Sequence, residues 1–345
     1  MPKRVLVVDD SAFMRRIIGE ILGASPDLQV VGTARDGAQA IEMLHELKPD
    51  VITLDIEMPT MSGEEALARI MKERPTPVVM LSSLTQAGAD ITVKCLQNGA
   101  IDYIGKPSGS TSLDIAKIGD EIRAKVVGAA NAKLSHSRRT SQPKSSTVRA
   151  ARLRALIIGS STGGPRALQT VVPHLPADLG VPVVIVQHMP EHFTKSLADR
   201  LDNLSHISVC EAIEGDRLRP GLALLAPGGK HLKINSDGSV SMTNEPALHG
   251  VRPAIDITIG SAVQAFGGDV GAVILTGMGK DGAAGCRAVM ARGGPTIAEH
   301  ESTCAVYGMP RSVIEMNAAE YVLPLDEIAG AISALCKPQI SRRVA

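Results

Sequence analysis

Tryptophan is absent from this 345-residue chain, and tyrosine and phenylalanine occur only three times each. An aromatic content of 2% argues against a stacking platform for single-stranded nucleic acid. An excess of one charge is also missing. Lys and Arg total 36, as do Asp and Glu, so the whole chain presents no field that would draw in a polyanion or an anionic membrane. No apolar run reaches the roughly 18 residues of a membrane-spanning helix. The opening Met1–Val8 turns acidic at Asp9 and Asp10, too soon for a signal peptide. The five cysteines (Cys95, Cys210, Cys286, Cys304 and Cys336) are odd in number and lack Cys-x-x-Cys spacing, so neither a disulfide framework nor a zinc site is expected. A cytoplasmic protein with no nucleic-acid partner and no membrane insertion is the expectation.

What is present is globular: 44% hydrophobic residues, 33 Gly and 21 Pro, in a length that suits two domains. Residues 131–154 stand apart, with seven Lys or Arg and no acid. Such a segment buries too little apolar surface to offset its ordering entropy, and a flexible basic linker is expected over 126–152. It would join a first domain at 1–125 to a second at 153–345.

In the first domain, apolar runs at Arg4–Val8, Leu28–Ala34, Val51–Leu54, Val78–Leu81 and Asp102–Ile104 alternate with amphipathic stretches, predicting a (βα)5 fold around a parallel sheet. Ligands of such sheets bind beyond the carboxyl ends of the strands. There the chain places Asp9 and Asp10, Asp55, Ser82 and Ser83, and Lys106. Converging carboxylates repel unless a cation sits among them, and a hard divalent ion, Mg²⁺ for preference, suits their oxygens. A carboxylate so neutralised, beside a lysine, can accept a phosphoryl group. Helix capping accounts for Asp10 or Ser11, but not for Asp55 or Lys106. With Met58-Pro59, Gly63 and Lys106-Pro107, this set closely resembles a response-regulator receiver domain. The resemblance implies Asp55 as phosphoacceptor, with Asp9, Asp10, Asp55 and the Glu57 carbonyl as Mg²⁺ ligands. It also implies Ser82 and Lys106 as holders of the phosphoryl oxygens, and Tyr103 as an aromatic switch. Ser82 stands where that family often has Thr, which keeps the hydroxyl.

The second domain reads as a doubly wound, mostly parallel α/β fold with a small antiparallel insertion within 207–243, including Leu222–Leu225 and Lys230–Ile234. Its first strand runs into Gly159-Ser160-Ser161-Thr162-Gly163-Gly164-Pro165, a G-x-S-x-G turn that would expose the Ser161 hydroxyl at a helix start. A nucleotide-binding turn is the alternative, although no Walker lysine and no G-x-G-x-x-G accompany it. His188 ends the next strand, and Asp281 follows a later one, so a base and its orienting acid are available on the same edge. The order Ser–His–Asp differs from that of α/β-hydrolases. His192, His231, His249 and His300 are competing histidines, of which His249 is a candidate to line the pocket. Gly-Ser-Ser-Thr-Gly-Gly-Pro, Gln187-His188-Met189, Ala226-Pro227-Gly228-Gly229, Arg252-Pro253-Ala254-Ile255-Asp256 and Thr276-Gly277-Met278-Gly279-Lys280-Asp281-Gly282 together resemble the catalytic domain of the CheB family of chemotaxis protein-glutamate methylesterases. The resemblance implies a Ser161, His188, Asp281 triad, the Met278 amide as oxyanion donor, and no cofactor in the esterase site. Lys280 stands where some relatives carry Asn and receives no role.

The implied activity is hydrolysis of glutamate methyl esters on methyl-accepting chemoreceptors, with deamidation of receptor glutamines as a second reaction. A histidine kinase of the CheA type would donate the phosphate, and the unphosphorylated receiver would restrain the esterase. A response regulator with a nucleotide-binding output is the alternative.

Overall fold

Apolar runs without alternation become strands buried on both faces in the computed structural model, which describes residues 1–83, 85–106, 112–132 and 148–337, the side chains of 112–118 excepted. The chain divides into two units, Met1–His136 and Ser137–Ala345. Pro107 and most of the expected linker, residues 133–147, lie outside the described residues.

In the first unit strands and helices alternate: β1 (Lys3–Val8), α1 (Ala12–Gly23), β2 (Leu28–Ala34), α2 (Gly37–Leu47), β3 (Val51–Asp55), α3 (Gly63–Glu73), β4 (Val78–Ser82), α4 (Gln86–Gln97), β5 (Asp102–Gly105) and α5 (Ser112–Ala130). All pairings are parallel, in the order β2-β1-β3-β4-β5. Every residue of β3 and β4 is buried, which is why their sequences show no polar alternation. Ser11, Asp36, Ser62 and Thr85 accept amide hydrogen bonds at the starts of α1 to α4 and fix where each helix begins. The winding reverses between β1 and β3, which opens a crevice at their carboxyl ends. α5 runs past residue 125. Val126 and Ala129 are fully buried in the core with Val5 and Val7, so helix covers the first five positions of the segment expected to be linker.

The second unit contains β6 (Ala155–Ser160), α6 (Gly164–Val171), β7 (Val183–Gln187), α7 (Phe193–Leu204), β8 (Ser208–Glu211), β9 (Leu222–Leu225), β10 (His231–Ile234), β11 (Val240–Thr243), α8 (Ile255–Phe266), β12 (Val270–Ile274), α9 (Ala283–Ala291), β13 (Thr296–Glu299), α10 (Met309–Glu315), β14 (Tyr321–Leu323) and α11 (Leu325–Leu335). Seven strands form a parallel sheet in the order β14-β13-β12-β6-β7-β9-β8, and β10 and β11 form a separate antiparallel pair. The expectation that Leu222–Leu225 belongs to the antiparallel insertion is wrong. That strand pairs parallel with both β7 and β8, and all four of its residues are buried. The unbroken apolar run Leu-Ala-Leu-Leu is the signature of a central parallel strand. β6 sits in the middle, and the chain winds outward from it in both directions, so the crevice lies where β6, β7 and β12 end.

Candidate functional site

In the first unit, the parallel register places Val8 opposite Leu54, so Asp9 and Asp55 sit at neighbouring strand ends. Carboxylate oxygens of Asp9, Asp10 and Asp55 lie within 4.8 Å of one another, the first and last buried and Asp10 exposed. Lys106 Nζ reaches Asp55 Oδ2 at 2.7 Å and Asp9 Oδ2 at 3.0 Å. Those two buried oxygens take no other hydrogen bond, so a single ammonium serves two carboxylates, and an oxygen-seeking divalent cation fits the donors that are left. Burial pushes the Asp55 carboxyl up to about 6 against the opposing pull of Lys106. Burial alone would lower the Lys106 ammonium, but hydrogen bonds and charge from Asp55 and Asp9 hold it above its ordinary value. Gly63 is required by packing, because a Cβ there would overlap the Asp55 carbonyl oxygen.

Ser82 ends β4 beside this cluster, fully buried, yet its hydroxyl is engaged elsewhere. Thr92 Oγ1 on α4 lies 2.6 Å from both Ser82 Oγ and the Gly88 carbonyl, while Ser82 Oγ donates toward the Ser83 carbonyl at 3.0 Å. Tyr103 is buried beneath Lys125, whose Nζ is 4.8 Å from the ring centroid and donates to the Tyr103 carbonyl at 2.7 Å. Burial raises the Tyr103 phenol well above its ordinary value. Glu57 lies two residues beyond Asp55 in the exposed turn before α3.

In the second unit, Ser160 pairs in register with Gln187, so the next residues, Ser161 and His188, leave adjacent parallel strands side by side. Gln187 links both ends: Ser160 Oγ donates to its Oε1 at 2.6 Å, and its Nε2 donates to the Ser161 carbonyl at 3.0 Å and the His188 carbonyl at 3.2 Å. The Ser161 amide donates to the Thr276 carbonyl at 3.0 Å, which ties the turn to the end of β12. Gly277 then passes so close that a Cβ there would sit 2.8 Å from Ser161 Cβ.

His188 Nε2 meets Asp281 Oδ2 at 2.8 Å. Asp281 also accepts the Ile255 amide at 2.7 Å, the Asp256 amide at 2.9 Å and the Gly282 amide at 3.0 Å, so the start of α8 surrounds it with donors. Burial alone would raise the Asp281 carboxyl, but the hydrogen bond and charge of His188, then the two α8 amides, hold it below its ordinary value. Among the described residues, neither the Ser161 hydroxyl nor His188 Nδ1 has a hydrogen-bond partner, so the structure joins His188 to Asp281 and sets Ser161 beside them without closing the third link. The Met278 amide, on the loop that follows Gly277, donates to no group among the described residues. His249 pairs with Asp256 at 3.4 Å, next to Asp281, whereas His231 is buried between the Pro246 carbonyl and the Ala254 amide. The sequence reading assigned no role to Gln187, Asp256 or Thr276. Gln187 did leave a signal, as a polar residue ending an otherwise apolar strand.

The CheB methylesterase family matches residues 156–332, and the response regulator receiver domain matches residues 5–116. The chain belongs to the CheB family. It is 49% identical to the protein-glutamate methylesterase/protein-glutamine glutaminase of Symbiobacterium thermophilum, with 96% of each chain covered. It is 48% identical to the protein of the same name from Thermotoga maritima, covering 94% of this chain and 96% of the relative. The crystal structure of the Thermotoga maritima CheB methylesterase catalytic domain covers 53% of this chain and 98% of its own, at 45% identity and a TM-score of 0.51. The nucleotide-binding output gains no support from these likenesses. Among the described residues, no helix is long and apolar enough to cross a membrane.

Proposed function

We propose that Ser161, His188 and Asp281 carry the methylesterase and glutaminase chemistry of this CheB protein, and that Asp55 carries its phosphorylation control. The observation behind the first reading is the His188–Asp281 pair at 2.8 Å, set at the strand end beside the Ser161 turn. Because Nε2 is engaged by Asp281, Nδ1 is the ring nitrogen left to take the Ser161 proton. Ser161 Oγ attacks the γ-carbonyl carbon of a glutamate methyl ester on a chemoreceptor, and the carbonyl oxygen becomes an oxyanion for which the unengaged Met278 amide is the proposed donor. The tetrahedral intermediate collapses, the C–O bond to methanol breaks, and His188 returns its proton to the leaving oxygen. Water, deprotonated by the same imidazole, then attacks the acyl-serine, the bond from the acyl carbon to Ser161 Oγ breaks, and His188 returns the proton to that oxygen as the glutamate carboxylate leaves. On a glutamine the leaving group is ammonia. These steps use side chains and amides of the chain itself and call for no cofactor in the esterase site.

In the receiver, Asp9, Asp10, Asp55 and the Glu57 carbonyl would hold Mg²⁺, which when bound neutralises charge around the acceptor carboxylate. Lys106 stands ready for a phosphoryl oxygen. Ser82 joins it by turning its hydroxyl away from the Ser83 carbonyl, and Tyr103 follows as the switch. The donor is a histidine kinase of the CheA type, and the protein works in the cytoplasm without entering the membrane.

Methanol release from receptor membranes carrying labelled methyl esters tests both readings. Release that rises with Mg²⁺ and a small phosphodonor, and vanishes in Ser161→Ala, is expected. Release that persists in Ser161→Ala overturns the triad, and release indifferent to the donor overturns control through Asp55.

A further inference from the structure

Glu299 ends β13 fully buried, and the chemistry above makes no use of it. Its Oε2 accepts the Thr276 amide at 2.8 Å. Thr276 is a junction: its carbonyl receives the Ser161 amide at 3.0 Å, its hydroxyl donates toward the Thr162 carbonyl at 3.0 Å, and that hydroxyl accepts the Val306 amide at 2.9 Å. Glu299 is therefore one residue removed from the nucleophile turn. Its other oxygen, Oε1, is buried without a hydrogen bond. An ionised carboxylate in that position is strongly disfavoured, whereas a neutral acid is tolerated.

We infer that Glu299 is a positioning residue of the esterase site, holding the Thr276 peptide and through it the Ser161 turn, and that it does so as the uncharged acid. The inference rests on Ser161 as the nucleophile. Burial pushes the Glu299 carboxyl up to about 7, with the Thr276 amide, the Thr303 hydroxyl and the Cys304 thiol opposing. The other ionisable side chains on elements packed against β13 are Cys286 and Arg287 on α9, Arg311 and Glu315 on α10, Tyr321 on β14, and Asp326 and Glu327 on α11. Among the described residues none forms an ion pair with Glu299, and Arg311 and Glu315 pair with each other. Raising the pH through neutrality therefore places an uncompensated charge behind the turn that carries Ser161, where the reaction develops negative charge, and kcat falls while KM is unmoved.

The test is the pH profile of methyl-ester hydrolysis by the full phosphorylated chain, with Glu299→Gln and Glu299→Ala. Glutamine keeps an oxygen for the Thr276 amide and cannot ionise. It should hold the low-pH kcat and abolish the decline above about pH 7, whereas alanine should lower kcat roughly ten- to a hundredfold at every pH with KM near wild type. A Glu299→Gln enzyme with the wild-type decline overturns the inference, as does a folded alanine variant with wild-type kcat. If the alanine variant does not fold, the glutamine profile alone decides. Ser161→Ala in parallel separates the two readings, since activity surviving there removes the nucleophile and not the role of Glu299 alone.

Discussion

Asp281 Oδ2 holds His188 Nε2 at 2.8 Å while the same oxygen takes the Ile255 amide at 2.7 Å, so the acid that orients the imidazole is itself anchored to the start of α8. Asp281→Asn should keep this anchoring in part but present an amide to the ring, favouring the wrong tautomer. A loss of about 10³–10⁴ in kcat is expected, by analogy with the same change in a serine protease triad. Steady-state ester hydrolysis at fixed phosphorylation reads it, and a loss below tenfold would remove Asp281 from the triad.

The same pair sets a limb of the acid stability curve. Asp281 is held below the value it has in the unfolded chain, so its contribution is present at and above the ordinary carboxylate range and disappears as the pH falls through the lowered folded value. Urea midpoints of the catalytic unit should decline toward acid, and Asp281→Asn should flatten that decline. An unchanged slope in the variant would show that other carboxylates set it.

Gln187 is a structural partner rather than a chemical one. Its neighbour Ser160 is fully buried and donates to it at 2.6 Å, so Gln187→Leu strands that hydroxyl and takes a donor from the His188 carbonyl and from the Ser161 carbonyl, which keeps the Gly164 amide. The stranded hydroxyl alone is worth about 1–3 kcal/mol. Thermal unfolding should show a clear loss of stability, with activity falling because the ends of β6 and β7 lose their tie.

In the receiver, Thr92 Oγ1 donates to Ser82 Oγ, the hydroxyl proposed to hold a phosphoryl oxygen. Thr92→Val removes the 2.6 Å contact with Ser82 and leaves that hydroxyl freer to turn. One hydrogen bond of about 0.5–1.5 kcal/mol corresponds to a two- to tenfold longer lifetime of the phosphorylated form. Decay of label from Asp55 measures this, and a shortened lifetime would mean that Thr92 assists Ser82 instead.

Lys106 is the cation shared by Asp9 and Asp55. Lys106→Met leaves two buried carboxylates facing each other, so the unfolding midpoint of the receiver should come to depend strongly on added Mg²⁺, far more than in the parent chain. Equal Mg²⁺ responses in the two proteins would count against a divalent site among these acids.

Much of this was legible in the sequence because parallel sheets expose chemistry at one edge. Continuous apolar runs located the strands, and the residues just after them, Asp9, Asp55, Ser161 and His188, were the site residues to consider. Leu222–Leu225 was misread because Gly and Pro around it suggested a hairpin region, although its own four apolar residues were those of a central strand. β14 went unseen because it is three residues long and only partly buried. The engagement of Ser82 with Thr92 and the tie from Glu299 to Thr276 lay beyond reach, since they join side chains and peptides from elements whose spacing carries no periodic signal.

The position of β6 bears on the order in which this protein comes into being. β6 is the first strand of the catalytic unit to be synthesised, yet it lies at the centre of a seven-stranded sheet whose edge, β14, is made last. The receiver sheet, by contrast, is complete once α5 has been made. At a synthesis rate of about 5–20 residues per second, roughly 10–40 s pass between the emergence of α5 and that of α11. Each new molecule thus has a finished receiver before it has an esterase, and no interval exists in which catalysis is present without the part that governs it.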